Sequence, residues 1–130
     1  MKFSAAGGWW GSDWYNRVEL GYRYGFDGVE QLGWLGLDFD KAKKTLDETG
    51  VPSTAIIIQS ANQEYNSTIQ WSHGMVWEDT RKPFVEAFRE SVAAAKAMNV
   101  PNIIATTGNE RFDVSREEQR ALPAYAQPRV

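Results

Sequence analysis

The feature that most constrains the fold is a pattern that recurs along the chain. A helical segment ends at Gly or Asn, and a short apolar run follows after a brief link. The three occurrences run from Leu20–Tyr24 through Gly25 to Val29, from Thr45–Thr49 through Gly50 to Ile56, and from Ala95–Met98 through Asn99 to Ile103. Gly and Asn favour the left-handed conformation that ends helices. Helices that alternate with apolar strands in this way predict the α/β class.

The segment between residues 25 and 59 shows the pattern most completely. Val29–Leu32 predicts a strand, Asp40 is a suitable N-cap for a helix over Lys41–Thr49, and Pro52 prevents that helix from continuing. Ala55–Ile58 is then a continuous apolar run without alternation, which is typical of a strand covered on both faces in a parallel sheet. Two strands joined by such a helix predict a right-handed βαβ unit.

The segments before and after this unit extend the same order. Lys2–Ala6 predicts a first strand, and Ser12 or Asp13 can cap a first helix over Trp14–Tyr24. A long third helix is predicted from near Thr80 or Lys82 to Asn99, and a fourth strand over Asn102–Thr107. The predicted core face of the third helix is Phe84, Phe88, Val92 or Ser91, and Ala95.

Two segments lack a clear period. Ser60–Thr80 is polar and aromatic, and predicts a long loop that folds as a lid over the strand ends and carries His73 and Trp77. Ser115 and Glu118 have the spacing of a capping box that opens a fourth helix, but Pro123 is expected to stop it, which leaves residues 121–130 as an irregular tail.

Together these elements predict one domain over residues 1–130 with an α/β fold. Four parallel strands, three helices and a stub of a fourth helix make half of a (β/α)8 TIM barrel, which normally takes ~250 residues.

Composition excludes several classes of function. The formal net charge is −3 and no basic cluster occurs, so a nucleic-acid partner has no electrostatic support. The absence of cysteine excludes disulfides, thiolate catalysis and cysteine-based zinc sites. No apolar run approaches the ~18 residues of a membrane span and no signal-peptide pattern occurs, so we expect a cytoplasmic protein without a membrane partner.

Candidate functional residues follow from the rule that TIM barrels place their sites at the carboxyl ends of the strands. By position these are Trp9, Glu30, Trp34, Gln59, Asn62, Asn109 and Glu110, with His73 in the long loop. From this set we predict as substrate-binding residues Glu30, Trp34, His73, Asn109 and Glu110. No residue is assigned a catalytic or metal-binding role, because no close ligand pair such as His-x-x-x-His occurs.

Each candidate also has a structural alternative. Glu30 can be a base or a metal ligand, or it can form an ion pair or hydrogen bond to a neighbouring strand. Asn109 and Glu110 can bind sugar hydroxyls or belong to a solvated loop. His73 can reach over the barrel mouth or be exposed. The tryptophans can stack on a sugar ring, or they can serve packing and interfaces.

Several segments resemble a known family when they are taken in order. MKFSA, GFDGVEQLGW, LDETGVP and FVEAFRESVAAAKAMNVPNIIATTGNE are similar to hydroxypyruvate isomerase and its relatives, the xylose-isomerase-like TIM-barrel sugar isomerases and epimerases. The resemblance covers Met1 to Arg120 and concerns the N-terminal half of that barrel.

The resemblance implies a reaction and a cofactor. These enzymes move a proton between carbons next to a carbonyl, with a divalent metal and two glutamates on strands of the second half of the barrel. The four predicted strands correspond to the first half alone. The residues from Leu122 onward depart from the family pattern in a way that is typical of a truncation or a frame change.

Two hypotheses about function remain open. In the first, the chain is a half-barrel that is non-catalytic alone and forms a homodimer, or an assembly of dimers, that completes a barrel. In the second, it is a sugar or hydroxypyruvate isomerase whose site is completed by association, with a small sugar-like ligand. Association is expected because the open inner face of the sheet would carry Phe3, Val29, Ile56 or Ile57, and Ile104.

Overall fold

One sheet of four parallel strands forms the centre of the protein. In the computed structural model the strands lie in chain order, as β1 Ser4–Ala6, β2 Gly28–Glu30, β3 Ser53–Ile57 and β4 Ile103–Ile104. The structure describes residues 1–30, 33–71, 77–106, 108–110 and 112–125, and for 70, 71 and 121–125 it describes the backbone alone. The predicted α/β fold with four parallel strands, the arrangement of half of a TIM barrel, is confirmed.

Helices alternate with these strands. They are α1 Trp14–Arg23, α2 Phe39–Thr49, α3 Gln63–Trp71, α4 Glu78–Met98 and α5 Arg116–Tyr125, and a 3-10 helix covers Gly7–Trp10. No helix of the described part of the chain is long and apolar enough to cross a membrane.

Aspartates begin the first two α-helices. Asp13 Oδ1 accepts a hydrogen bond of 2.6 Å from the backbone N–H of Asn16, which confirms Asp13 as a predicted N-cap. In α2 the N-cap is Asp38, whose Oδ1 accepts from Lys41 N at 3.0 Å. The prediction of Asp40 as the cap is wrong, because Asp40 already lies in the first helical turn and only the residue before the helix has the extended backbone of an N-cap.

The predicted helix ends are confirmed at two positions. Gly50 follows α2 with φ 68°, and Asn99 follows α4 with φ 57°. Both backbones are left-handed, the conformation that turns the chain out of a helix and into the next strand.

The main core lies between the sheet and the helices α1, α2 and α4. Val29 and Ile56 are fully buried in it, with the helix residues Trp14, Val18, Ala42, Leu46, Ala94 and Met98. The expectation that Val29 and Ile56 lie on the open inner face is therefore wrong. Because side chains alternate along a strand, Ile57 and its β4 partner Ile104 lie on the opposite face, where both are half-buried.

The buried face of α4 consists largely of small side chains. The residues buried there are Thr80, Ala87, Ser91, Ala94, Ala95 and Met98. Ser91 rather than Val92 faces the core, and Phe88 is 42% exposed and stacks on Phe84 at 6.3 Å between ring centroids. The predicted core face was rotated from the observed one because the large Phe side chains were given more weight than the small residues, which let a helix lie close to a sheet.

A register shift interrupts the pairing of β2 with β3. Val29 pairs with Ser53 and Glu30 pairs with Ala55, so Thr54 is an extra residue on β3. The Thr54 hydroxyl donates to Val29 O at 3.3 Å, and its Oγ1 lies 3.1 Å from the Oγ of Ser4. Thr54 and Ser4 therefore share the inner face of the sheet.

Two predictions of irregular structure are wrong. The segment 60–80 contains the helix α3, which is capped by Asn62 Oδ1 with hydrogen bonds from Glu64 N at 3.0 Å and Tyr65 N at 3.3 Å. The helix α5 continues past Pro123 to Tyr125, because the φ of proline is helical and the cost of its missing N–H is a single backbone hydrogen bond near the end of the helix. Residues 126–130 of the predicted tail lie outside the described residues.

The predicted capping box at the start of α5 is confirmed. The Ser115 hydroxyl donates to Glu118 Oε2 at 2.7 Å, and Glu118 N donates back to Ser115 Oγ at 3.3 Å. Hydrogen bonds from the side chain and the backbone of Ser115 hold the pKa of the Glu118 carboxyl below its usual range. The ionised carboxylate is therefore the form that caps the helix.

Gly21 provides a test of the packing between α1 and the sheet. A Cβ on this buried residue would overlap Cγ1 of Val29, so we expect Gly21→Ala to lower the free energy of unfolding by about 1–3 kcal/mol, although alanine favours a helix. Urea denaturation measures this value. Asn16→Ala, at an exposed position of the same helix, is the matched control and should change it by less than ~0.5 kcal/mol. A Gly21→Ala variant as stable as the parent protein would contradict the predicted overlap.

Candidate functional site

A cleft opens at the carboxyl ends of β2 and β3. Its volume is about 390 Å³, and its walls are Ser12, Trp14, Arg17, Gly33, Leu35, Leu37, Ile57 and Gln59. These residues come from the connection between β1 and α1, the first turn of α1, the connection between β2 and α2, and the end of β3. In α/β folds with parallel strands, ligands bind at this end of the sheet, so the cleft is the candidate site.

The side chain of Gln59 shapes one wall of the cleft. Its Oε1 accepts hydrogen bonds from Trp34 N at 2.8 Å and from Leu35 N at 3.3 Å. These two bonds tie the connection after β2 to the end of β3. The carboxamide is oriented by them, so its NH2 group is the part that remains for another partner.

Ser91, on the buried face of α4, holds Gln59 and Trp34 from behind. Its hydroxyl donates to Gln59 O at 3.1 Å and accepts from Gln59 N at 3.0 Å. It also accepts from Trp34 Nε1 at 3.2 Å. One fully buried hydroxyl thus satisfies both backbone groups of Gln59 and the indole of Trp34.

Glu90 fixes the connection that follows Gln59. Its Oε1 accepts from the Ser60 hydroxyl at 2.8 Å, and its Oε2 accepts from Ala61 N at 2.7 Å. The carboxylate is thereby engaged in positioning the start of α3 and is not directed to a ligand.

Arg17 forms another part of the cleft wall. Its Nε donates to Gly11 O at 2.8 Å, and its Nη2 donates to the same oxygen. The half-buried guanidinium is therefore held in place by the backbone that follows the 3-10 helix. It brings a positive charge to the cleft.

The structure distributes the predicted substrate-binding residues over several places. Glu30 is the half-buried last residue of β2, between Ala6 and Ala55 of the neighbouring strands. Asn109 and Glu110 are exposed in the connection between β4 and α5. His73 lies outside the described residues. The binding roles of these four residues stay predictions.

Two of the predicted residues have partners that explain their positions without a ligand. Trp34 is buried in the main core, and its indole contacts Phe39 as well as Ser91. Its role in binding stays a prediction, but the burial favours packing. Glu110 Oε1 forms an ion pair of 2.8 Å with Arg116 Nε, in a separate cavity that Gln119 and Arg120 also line.

The other residues selected by their position after a strand do not all lie in the cleft. Gln59 lines the cleft, whereas Asn62 caps α3 and Trp9 is 85% exposed. Trp77, predicted to lie near a pocket, is buried at the start of α4 and is not among the described residues of the cleft wall. In place of part of the predicted lid stands α3, whose Ile69 packs with Ala87 of α4 and with Ile58 directly after β3.

The described residues do not form a metal site of the kind that the family resemblance implies. No group of three or more His, Asp or Glu side chains is close enough to hold an ion in the part of the chain that the structure describes. The hydrogen-bond donors of the cleft cannot replace such a group, because hard divalent cations need oxygen ligands.

Sequence reasoning missed Arg17, Ser12 and the aliphatic residues of the cleft. Arg17 follows the N-cap Asp13 by one helical turn, and nothing in this spacing distinguishes a cleft residue from a solvated one. Ser91 did carry a sign of its role, since it is a polar residue between Ala87 and Ala94 on the buried face of the helix.

The bonds of Ser91 lead to a prediction about stability. Ser91→Ala should lower the free energy of unfolding by about 2–3 kcal/mol, because it leaves the Trp34 indole and the backbone of Gln59 without their buried partner. Thermal or urea denaturation measures the change. The control is Ser67→Ala at an exposed position of α3, which should cost less than ~0.5 kcal/mol. Equal stability of the two variants would show that the Ser91 hydroxyl does not organise this wall.

Comparison with known proteins adds no relationship to this geometry. No family model matches the sequence, and a search of curated proteins finds no match either.

Proposed function

We propose that the chain is a half-barrel that associates with a second copy of itself to complete a barrel and that is non-catalytic alone. The observation that supports this proposal is the order of the sheet. Within the described residues, β1 and β4 each pair with a single strand. Each of them therefore has an edge of backbone donors and acceptors that another strand can use.

Exposed apolar side chains that lie close to the two edge strands in sequence support the same proposal. Phe3, directly before β1, is 59% exposed, and Trp9, soon after β1, is 85% exposed. Phe112, in the connection after β4, is 98% exposed. Large apolar groups of this kind are typical of surfaces that a partner covers.

Two-fold symmetry gives the proposed assembly its geometry. With β4 of one copy beside β1 of the other at both seams, eight parallel strands close into a ring without free edges. The half-buried Ile57 and Ile104 would then face the interior of the ring. The proposal includes a cytoplasmic location. It includes no nucleic-acid partner, since the net charge of −3 gives no electrostatic support for one.

The proposal of a non-catalytic chain rests on the chemistry of the described inner face. The family that the sequence resembles uses a divalent metal and two glutamates for proton transfer. Glu30 is the carboxylate at a strand end of the described sheet, and no described group of three potential ligands accompanies it. One carboxylate without such a group does not provide a base together with a metal that stabilises an enolate.

The alternative is a hydroxypyruvate isomerase-like enzyme whose site is completed by homo-oligomerisation. The cleft at the carboxyl ends of β2 and β3 favours it, because this is where TIM barrels bind substrates. In this case a small sugar-like ligand would lie between the cleft and residues of the second copy. The metal of the family would then need ligands from both copies.

Association is tested by sedimentation equilibrium. We expect a homodimer, or an even-numbered assembly of dimers, at micromolar concentration. Phe3→Ser should raise the dissociation constant by about tenfold or more, since it removes apolar surface beside the β1 edge. The control is Val85→Ser, at a 45% exposed position of α4, which should leave association unchanged. A parent protein that is monomeric at every dilution would contradict both the proposal and its alternative.

Activity separates the two candidate functions. With hydroxypyruvate and Mg²⁺ or Mn²⁺, we expect the associated protein to show no turnover above that of buffer, because the described inner face provides no metal site. Turnover that a chelator abolishes and that falls in the Phe3→Ser variant would instead establish the completed isomerase.

A further inference from the structure

Each polar side chain of the cleft can donate a hydrogen bond. Around it lie the Ser12 hydroxyl, the Arg17 guanidinium and the Gln59 carboxamide. Because Gln59 Oε1 already accepts from Trp34 N and Leu35 N, its NH2 group is what it can offer to a ligand. Among the described residues of the cleft wall none is acidic, so the cleft is built to receive an acceptor.

The charge of Arg17 has no described counter-charge. Within the described part of the chain, the arginines that form ion pairs are Arg23, Arg89 and Arg116. Arg17 donates to the neutral carbonyl of Gly11 through Nε and Nη2, which leaves Nη1 and the second hydrogen of Nη2. Of these three N–H groups, one on Nη1 and the one left on Nη2 are parallel and form a planar fork that matches both oxygens of a carboxylate.

Trp14 adds an independent observation at the same cleft. Trp14 is 5% exposed, and its indole Nε1 is buried with no hydrogen-bond partner among the residues that the structure describes. A buried donor without an acceptor costs free energy, and this atom is too deeply buried for direct contact with a ligand in the cleft as it stands. The residue belongs to the cleft wall together with Arg17.

The rest of the described wall is aliphatic. Leu35, Leu37 and Ile57 line the cleft beside the donors. Leu37 packs against the main core and Leu35 is 38% exposed, so the aliphatic surface extends from the core toward the opening. Such a surface binds a hydrocarbon chain better than a polyhydroxylated one.

We propose that this cleft binds a small aliphatic monocarboxylate, with its carboxylate on Arg17 and its hydrocarbon chain against Leu35, Leu37 and Ile57. A single guanidinium balances one negative charge, which fits a carboxylate better than the nearly two charges of a phosphate group. The site is contained in one copy of the chain. It therefore does not depend on completion of a barrel or on an isomerase activity.

Hexanoate is a suitable probe, because its carboxylate and short chain match the two parts of the cleft. We expect saturable shifts of the Arg17 Nε–H and Trp14 Nε1–H resonances of ¹⁵N-labelled protein, with a dissociation constant below about 1 mM. Hexanamide, which has the same shape without the charge, and inorganic phosphate should each bind at least about tenfold more weakly.

Two variants and a matched control locate the site. Arg17→Gln and Leu35→Glu should each raise the dissociation constant for hexanoate by at least about tenfold, the first by removing the charge and the second by adding a repulsive one. Arg23→Gln, on the same helix but paired with Glu19 on the surface, should bind like the parent protein.

If Arg17→Gln fails to fold, Leu35→Glu still decides, because Leu35 is partly exposed and outside the core. Unchanged affinity in the folded cleft variants, no saturation up to about 50 mM, or phosphate or hexanamide binding as tightly as hexanoate would each overturn the proposal.

Discussion

The structure around the cleft depends on one buried hydroxyl. Ser91 Oγ, on the face of α4 that packs against the sheet, is bonded to both backbone groups of Gln59 and to the indole of Trp34. In a buried site these donors and acceptors cannot form hydrogen bonds with solvent, so each bond has to be made within the protein. The position of α4 and the end of β3 are thereby fixed together.

This single contact reaches the cleft through a short chain of bonds. Ser91 holds the Gln59 backbone, and the Gln59 side chain holds Trp34 N and Leu35 N. The connection between β2 and α2 is consequently shaped by a helix that lies far from it in sequence. Arg17 is held separately by Gly11 O, so the charged wall and the aliphatic wall have independent supports. A ligand would meet a preformed site, which limits the ordering cost of binding.

The order of strands and helices was predictable because it rests on local chemistry. Gly50 and Asn99 each end a helix in the left-handed conformation that these residue types favour. Asp13 caps α1 through a hydrogen bond from the backbone of a residue three positions away. The helix α3 was not predicted because its sequence has little apolar periodicity. It is stabilised instead by the Asn62 cap and by the tertiary packing of Ile69. The cleft could not be derived, since it joins residues that meet only when β2 and β3 are paired.

The extra residue in β3 has a consequence for which side chains the strand presents to the cleft. Ser53 and Ile56 are both buried toward the helices although three residues separate them, which a regular two-residue alternation does not allow. The bulge at Thr54 thus inverts the phase of the strand beyond it. If Thr54 instead took part in a regular strand without a bulge, Ile56 would turn to the inner face, and Ile57 and Gln59 would turn into the helix layer. The bulge at Thr54, five residues before Gln59, therefore determines which face of the sheet this cleft wall occupies.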